Sequence, residues 1–294
     1  MFIKIIKIFF LIKNILKKNK NCKIQFNDEN IFFLSFFFKK ENIVLDVHEN
    51  IYVKIQKFNF LYKIILLKFF KIIFKKFKFI IAEKSYSRYD LFKNYHACIQ
   101  NFPDIKINAK CLKKNNKILK LVYCGTGNHL LLKYLEIFEI LKFNYKIKCQ
   151  LDIYTDYSIQ NIIHKRNFRN IKNVNFYERI DNKELLKKLK KYNFGFAFYE
   201  KEENYSESYP TKIFEYIYCN IIPISSNFKL YKNLFKDLNY GEVIIGNNSL
   251  LAAKKIKKIW LGNYSNYTKN HINIYKSDFK WSKEEPKLFR IYNN

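Results

Sequence analysis

All six glycines of the 294-residue chain lie after residue 124: Gly125, Gly127, Gly195, Gly241, Gly246 and Gly262. A βα turn that carries backbone close to a phosphate needs glycine, because the tight bend and the close approach leave no room for a Cβ. The first 124 residues cannot build such a turn. A nucleotide-binding cradle is expected only in the remainder, and Gly125-Thr126-Gly127 is the first place for one.

From residue 118 the pattern alternates between strand-length apolar runs and amphipathic segments. Ile118–Tyr123, Lys148–Tyr154, Val174–Tyr177, Phe194–Tyr199, Ile221–Ser225 and Glu242–Ile245 read as strands. Leu130–Phe143, Ser158–Asn167, Asn182–Lys191, Pro210–Tyr218, 228–238 and 248–260 read as helices, and Glu200–Tyr209 as a polar loop. This alternation predicts an α/β fold with a doubly wound parallel sheet.

The first third is less regular. Lys23–Phe26 and Asn42–Val47 read as strands, the second ending at His48-Glu49-Asn50. Asn30–Lys40 and Glu83–Tyr95 read as helices, and Phe58–Phe79 as a long one. At 100° per residue Lys68, Lys71, Lys75 and Lys78 share a face of that helix, away from Leu66, Phe69, Ile73 and Phe77. Its basic face suits solvent, an anionic membrane surface or nucleic acid. Asn101-Phe102-Pro103-Asp104 and the lysine-rich stretch to Lys117 read as a linker.

Composition narrows the class. The balance of 55 Lys+Arg against 25 Asp+Glu gives +30, which points to anionic partners, although a bias toward Lys, Asn, Ile, Phe and Tyr also places lysine at tolerant surface positions. Cys22, Cys98, Cys111, Cys124, Cys149 and Cys219 form no C-x-x-C pair, so structural zinc is not expected and the thiols read as reduced and intracellular. Lysines 4, 7, 13, 17 and 18 interrupt the apolar start, which argues against a signal peptide, and no apolar run reaches the ~18 residues of a membrane span. No helix-turn-helix, zinc-finger or RNA-binding strand signature is visible, and nucleic acid is not expected as a partner.

The stretch from Tyr205 to Ser226 carries the most chemistry. Pro210 suits a helix start, which leaves the amides of Thr211 and Lys212 as donors at its positive end. Lys212 adds a mobile charge. Glu207 precedes the helix and Glu215 follows eight positions later. An anion site between two carboxylates suits a ligand with central phosphates and hydroxyl-rich ends, as in a nucleotide diphosphate sugar.

The Glu207/Glu215 spacing and the run S-x-P-T-K-I-F-E-Y…P-I-S-S resemble the donor site of the family 4 (group 1) glycosyltransferases, which have the GT-B fold of two Rossmann-like domains. Weaker likenesses follow in order: Leu121–Gly127 resembles the first donor-domain strand and turn, and Tyr192–Phe198 the strand before the motif. Leu45–Glu49 resembles the acceptor-domain strand end that carries the family's active-site His, and Asn101–Pro103 the start of the linker. Phe279–Tyr292 resembles the closing helix that crosses back. The resemblance spans roughly residues 40–294.

The resemblance implies a retaining transfer of a hexosyl unit to a glycan or lipid-linked acceptor, without a metal or other cofactor, in cell-surface polysaccharide synthesis. It implies that Glu215 binds the ribose and Glu207 the donor sugar side. Pro210, Thr211 and Lys212 would hold the diphosphate. Gly125, Thr126 and Gly127 would let the chain pass the donor, and His48 would sit near the transferred sugar. Many members carry an Arg and a Lys after the first donor strand. Here Thr126 and Asn128 stand there, and Lys133 is the nearest lysine. The expected domains are a shortened acceptor-side domain 1–112, a donor-binding domain 113–270 and a C-terminal helix 271–294. The expected place is the cytoplasm, at the inner face of the membrane through the basic helix 58–79. Other readings are an inactive donor-domain remnant or split-enzyme subunit, a basic polyanion-binding protein, and a nucleotide-sugar epimerase of the same fold.

Overall fold

The computed structural model describes residues 2–104, 117–126, 129–156 and 172–293. The expected helix Ser158–Asn167 and Gly127 lie outside the described residues. The chain divides into two compact units, one of Met1–Asn101 with Trp281–Asn294 and one of Phe102–Lys280.

The first unit is built on four parallel strands, β1 (Ile24–Phe26), β2 (Ile43–Val47), β3 (Lys78–Ile81) and β4 (Ala97–Cys98), in the order β1-β2-β3-β4. All five positions of β2 are buried, as expected of a strand covered on both faces. Ile43, Leu45 and Val47 point into a core with Phe32, Ile73, Phe74 and Phe92. Val44 points the other way, with Ile80 and Ile99, against Trp281, Leu288, Ile291 and Tyr292 of the helix Trp281–Asn293. The period-2 alternation of a strand therefore puts Asp46, two residues after Val44, on the side of the C-terminal helix.

Three expectations in this unit change. The long helix covers Phe60–Lys76 and no more, with Asn59 capping its start through the amide of Tyr62. Phe77 is extended and Lys78–Ile81 pair with β2 instead, so Lys78 leaves the basic face of the helix. Segment Glu83–Tyr95 forms two short 3-10 turns, Lys84–Arg88 and Asp90–Phe92, which bury Tyr86, Leu91 and Phe92. Segment Asn30–Lys40 is also a 3-10 run, Glu29–Phe37, capped by Asp28. A helix at Phe2–Lys18 and the two-residue strand β4 were not anticipated.

The second unit carries six parallel strands, β5 (Leu119–Cys124), β6 (Cys149–Tyr154), β7 (Val174–Tyr177), β8 (Phe194–Ala197), β9 (Ile222–Ser226) and β10 (Glu242–Ile244). Their order is β10-β9-β8-β5-β6-β7. The chain winds outward from β5 in one direction and from β8 in the other, which is the doubly wound arrangement. In such sheets ligands bind in the crevice beyond the carboxyl ends of the strands where the winding reverses, here β5 and β8.

β5 and β8 are in register only at Leu121–Phe194 and Val122–Gly195. Further along, the hydroxyl of Tyr216 bridges them. It accepts the amide of Cys124 and donates to the carbonyl of Phe196, both at 3.3 Å. The ring lies flat against Gly195, where an added Cβ would come within 2.5 Å of it. Among the described residues no helix is long and apolar enough to cross a membrane.

Candidate functional site

The helix Thr211–Tyr218 buries Ile213, Phe214, Tyr216, Ile217 and Tyr218, and this apolar stripe fixes it against the second sheet. Pro210 is extended and its carbonyl accepts the first helical bond, from the amide of Ile213 at 3.0 Å. The amides of Thr211 and Lys212 precede that bond, at the positive end of the helix dipole.

Lys212 reaches from this turn to the end of β5. Its ammonium lies 4.3 Å from the ring centroid of Tyr123 and 5.8 Å from that of Tyr199. Tyr123 is in β5 and Tyr199 follows β8, so the charge stands at the point where the winding reverses. Its side chain keeps some exposure, but the amine is enclosed, and this burial lowers its pKa to about 8, against the opposing pull of Cys124 and Glu215. Gly125 makes room for it, with φ at +150°. Tyr123 donates to the carbonyl of Thr126 at 2.7 Å and so holds the exposed turn that follows.

Glu215 lies one helical turn beyond Lys212 and is partly buried. Burial raises its pKa, while a hydrogen bond from Asn182 and the charge of Lys212 act against that rise. Glu207 caps the short helix Glu203–Ser206, and its Oε2 is shielded from solvent. The adjoining loop is fixed by Tyr231, whose hydroxyl donates to the carbonyl of Tyr205 at 2.6 Å. Lys133 forms an ion pair with Glu136 on its own helix, at 3.4 Å. Chemically, this end of the sheet presents a poised cation, helix amides and a carboxylate with raised proton affinity, which suits a phosphorylated, hydroxyl-bearing ligand.

His48 belongs to the first unit. It is exposed just past the end of β2, with its Nε2 3.0 Å from Oδ2 of Asp46. The same Asp46 oxygen accepts from Gln25 Nε2 at 2.6 Å, and Gln25 Oε1 accepts from the hydroxyl of Tyr292. Tyr86 donates to the carbonyl of His48 at 3.2 Å. The hydrogen bond to Asp46 raises the pKa of His48, burial opposes the rise, and Asp46, Glu29 and Glu49 add to it.

Sequence reasoning missed Tyr123, Tyr199, Asn182 and Asp46 as site residues. The i, i+2 spacing of Asp46 and His48 on one strand face was a usable signal. Nothing local pointed to Tyr199, which follows β8, or to Asn182, which opens the helix Asn182–Leu189. Among the described residues no three His, Cys, Asp or Glu side chains converge to hold a metal ion.

Residues 67–276 match the family model described as glycosyl transferases group 1. No curated protein sequence matches the chain. Among solved structures, sucrose-phosphate synthase from Thermosynechococcus elongatus is similar at 16% identity and a TM-score of 0.70, covering 98% of this chain and 77% of that one. WaaG, a glycosyltransferase involved in lipopolysaccharide biosynthesis, is similar at 14% identity and a TM-score of 0.63, covering 95% and 80%. A TarM variant from S. aureus, solved with fondaparinux, α-GlcNAc-glycerol and UDP, is similar at 15% identity and a TM-score of 0.62, covering 89% of this chain and 53% of its own. At these identities the likeness is one of fold, the GT-B fold of two Rossmann-like units.

Proposed function

Because the chain belongs to the group 1 glycosyl transferases, we propose that it moves a hexosyl unit from a nucleotide diphosphate sugar to a glycan or lipid-linked acceptor, with retention of configuration and no metal. The observation that carries this reading is the enclosed ammonium of Lys212 at the reversal of the second sheet, with Glu215 one turn away. The amides of Thr211 and Lys212 hold the diphosphate, and Glu215 accepts the ribose hydroxyls. Negative charge grows on the diphosphate as the sugar departs. The helix dipole and the lysine, set in place before the reaction, stabilise that charge at no cost in reorganisation. Gly125 and Thr126 let the chain pass beside the donor, Glu207 serves the sugar side, and His48 is the residue of the first unit assigned to the transfer.

The acceptor reading draws on the first unit. A cavity of about 600 Å³ there is lined by Phe33, Ile51, Ile55, Leu66 and Phe70, with Lys57 and the Lys54–Glu29 ion pair beside them. An apolar lining with Lys57 and an ion pair at its side suits an acceptor that joins a lipid to a polar head. Exposed Phe60, Leu61, Ile65 and Ile72 interleave with Lys68, Lys71 and Lys75 on the helix Phe60–Lys76, which supports a place at an anionic membrane face. The likeness to WaaG, a glycosyltransferase involved in lipopolysaccharide biosynthesis, supports cell-surface polysaccharide assembly as the proposed setting, and the UDP bound in the TarM structure makes UDP the first nucleotide to test.

Calorimetric titration of the purified chain with UDP, GDP and their sugars tests the proposal. Binding of one nucleotide sugar, weakened about tenfold or more by Glu215→Ala, is the expected result. No binding to any of them, or affinity unchanged by the substitution, would overturn it.

A further inference from the structure

In the first unit, the edge of the sheet opposite His48 carries a second concentration of positive charge. The four strands are parallel, so the residues that lead into them line up along one edge. Lys23 immediately precedes β1, Lys40 opens the turn Lys40–Asn42 before β2, Lys78 is the first residue of β3, and His96 immediately precedes β4. Lys75 and Lys76 end the long helix beside them. All six line one cavity of about 250 Å³.

Five lysines thus face one cavity, with Glu41 as the single carboxylate residue of its lining. Lys23 takes the backbone carbonyl of Glu41, at 2.7 Å, and not its carboxylate. The ammonium of Lys76 rests over the rings of Phe36 and Phe77, 4.9 and 5.2 Å from their centroids. His96 accepts the amide of Phe79 at Nδ1, 3.3 Å away, which leaves Nε2 as the donor of its neutral ring.

Lys75 and Lys76 have a local reason to be there, since cations complement the negative end of a helix. Lys23 answers the carbonyl of Glu41, whereas Lys40 and Lys78 do not end a helix. A convergence of cations around one cavity favours a bound anion with more than one charge. The cavity lies at the amino ends of the strands, whereas the diphosphate position lies at the carboxyl ends of the other sheet.

We infer that this cavity binds a phosphate-bearing anion of two or more charges, independently of the donor position. A soluble di- or triphosphate and a phospholipid headgroup share this chemistry.

The test uses the full chain with Lys212→Ala, which weakens the donor position and leaves whatever its amides still bind common to all the chains compared. Inorganic pyrophosphate is titrated calorimetrically into this chain, into the same chain with Lys40→Gln and Lys75→Gln, and into one with the exposed pair Lys232→Gln and Lys236→Gln as a charge-matched control. The expected result is binding that falls about tenfold or more with the first pair and holds with the second. No pyrophosphate binding, or an equal loss with the control pair, would overturn the inference.

Amine acetylation of the unsubstituted chain gives a readout that needs no variant. Pyrophosphate should protect Lys40, Lys75 and Lys78, and absence of protection would count against the site. Co-sedimentation with phosphatidylcholine vesicles containing phosphatidic acid separates the two sources. Loss of vesicle binding in the Lys40/Lys75 variant, with competition by pyrophosphate, assigns the site to a lipid headgroup. Vesicle binding that does not change, alongside pyrophosphate binding that does, assigns it to a soluble anion.

Discussion

The ammonium of Lys212 stands where a side chain on Gly125 would have to begin: a Cβ at 125 would lie 2.7 Å from it. The glycine therefore does more than turn the chain. It vacates the pocket in which the lysine waits at the end of β5.

Gly125→Ala should remove that pocket. At φ +150° an alanine is also strained, so a stability loss of about 1–3 kcal/mol is expected alongside the steric clash. Nucleotide-sugar affinity should fall about tenfold or more. Thermal denaturation and calorimetry measure the two effects, and affinity close to that of the unsubstituted chain would show that Lys212 does not serve the donor.

Lys212→Met should separate stability from binding. Burial lowers the pKa of this lysine from 10.5 to about 8, so at neutral pH the folded chain carries an ammonium that it would stabilise itself by losing. Removal should stabilise the ligand-free chain at pH 7 by roughly 1–3 kcal/mol while weakening diphosphate binding. The sign fixes the pH window. The unfolded lysine holds its proton up to about 10.5, so this group's contribution to stability rises between pH 8 and 10.5. The methionine variant should lack that rise, as denaturant midpoints across the range would show.

Glu215→Gln should tell ribose from phosphate. The carboxylate is assigned to the ribose, so affinity for the nucleotide sugar should drop about tenfold. Inorganic pyrophosphate binding at Lys212 should stay the same or strengthen, since a nearby negative charge is gone. Equal losses for both ligands would mean that the residue shapes the pocket and does not contact the ribose.

Asp46→Asn should lower the pKa of His48, because the hydrogen bond to Asp46 is the main cause of its rise. A His whose folded pKa lies above its ordinary 6.5 contributes stability that is complete below 6.5 and disappears as pH rises through the folded value. The cost of the substitution should therefore be larger at pH 6 than at pH 8.5. Proton NMR titration of His48 with paired denaturation curves checks both, and an unmoved His48 titration would disprove the coupling.

Gly195→Ala should cost about 2–4 kcal/mol, because its Cβ would come within 2.5 Å of the Tyr216 ring. The displaced ring would take its hydroxyl away from Cys124 and Phe196 and loosen the sheet at its reversal. A thermal midpoint within a degree of the parent would refute this account.

The second unit was the more legible in the sequence. Val174–Tyr177 was anticipated residue for residue, and the other five strands to within one or two positions. The four inner strands β9, β8, β5 and β6 are apolar runs between turn signals, buried in a parallel sheet, and the edge strands β7 and β10 are only partly buried. The first unit was less legible for an identifiable reason. Phe77 to Ala82 continues the apolar, lysine-dotted pattern of the helix before it, and only pairing with β2 makes it a strand. Segment Glu83–Tyr95 has helical spacing, yet burial of Tyr86, Leu91 and Phe92 bends it into short turns.

The sequence by itself determined where a phosphate cradle could be, since every glycine lies after residue 124, and it determined the helix start at Pro210 with Glu207 and Glu215 around it. These are local consequences of backbone freedom and of the 3.6-residue period. Only the tertiary structure decided that Lys212 would be enclosed by Tyr123 and Tyr199, that Asn182 would meet Glu215, and that Asp46 would link His48 through Gln25 to Tyr292. Those partners are brought together by strand order, and strand order follows from burying all the apolar runs at once, a condition that no single stretch of the chain contains.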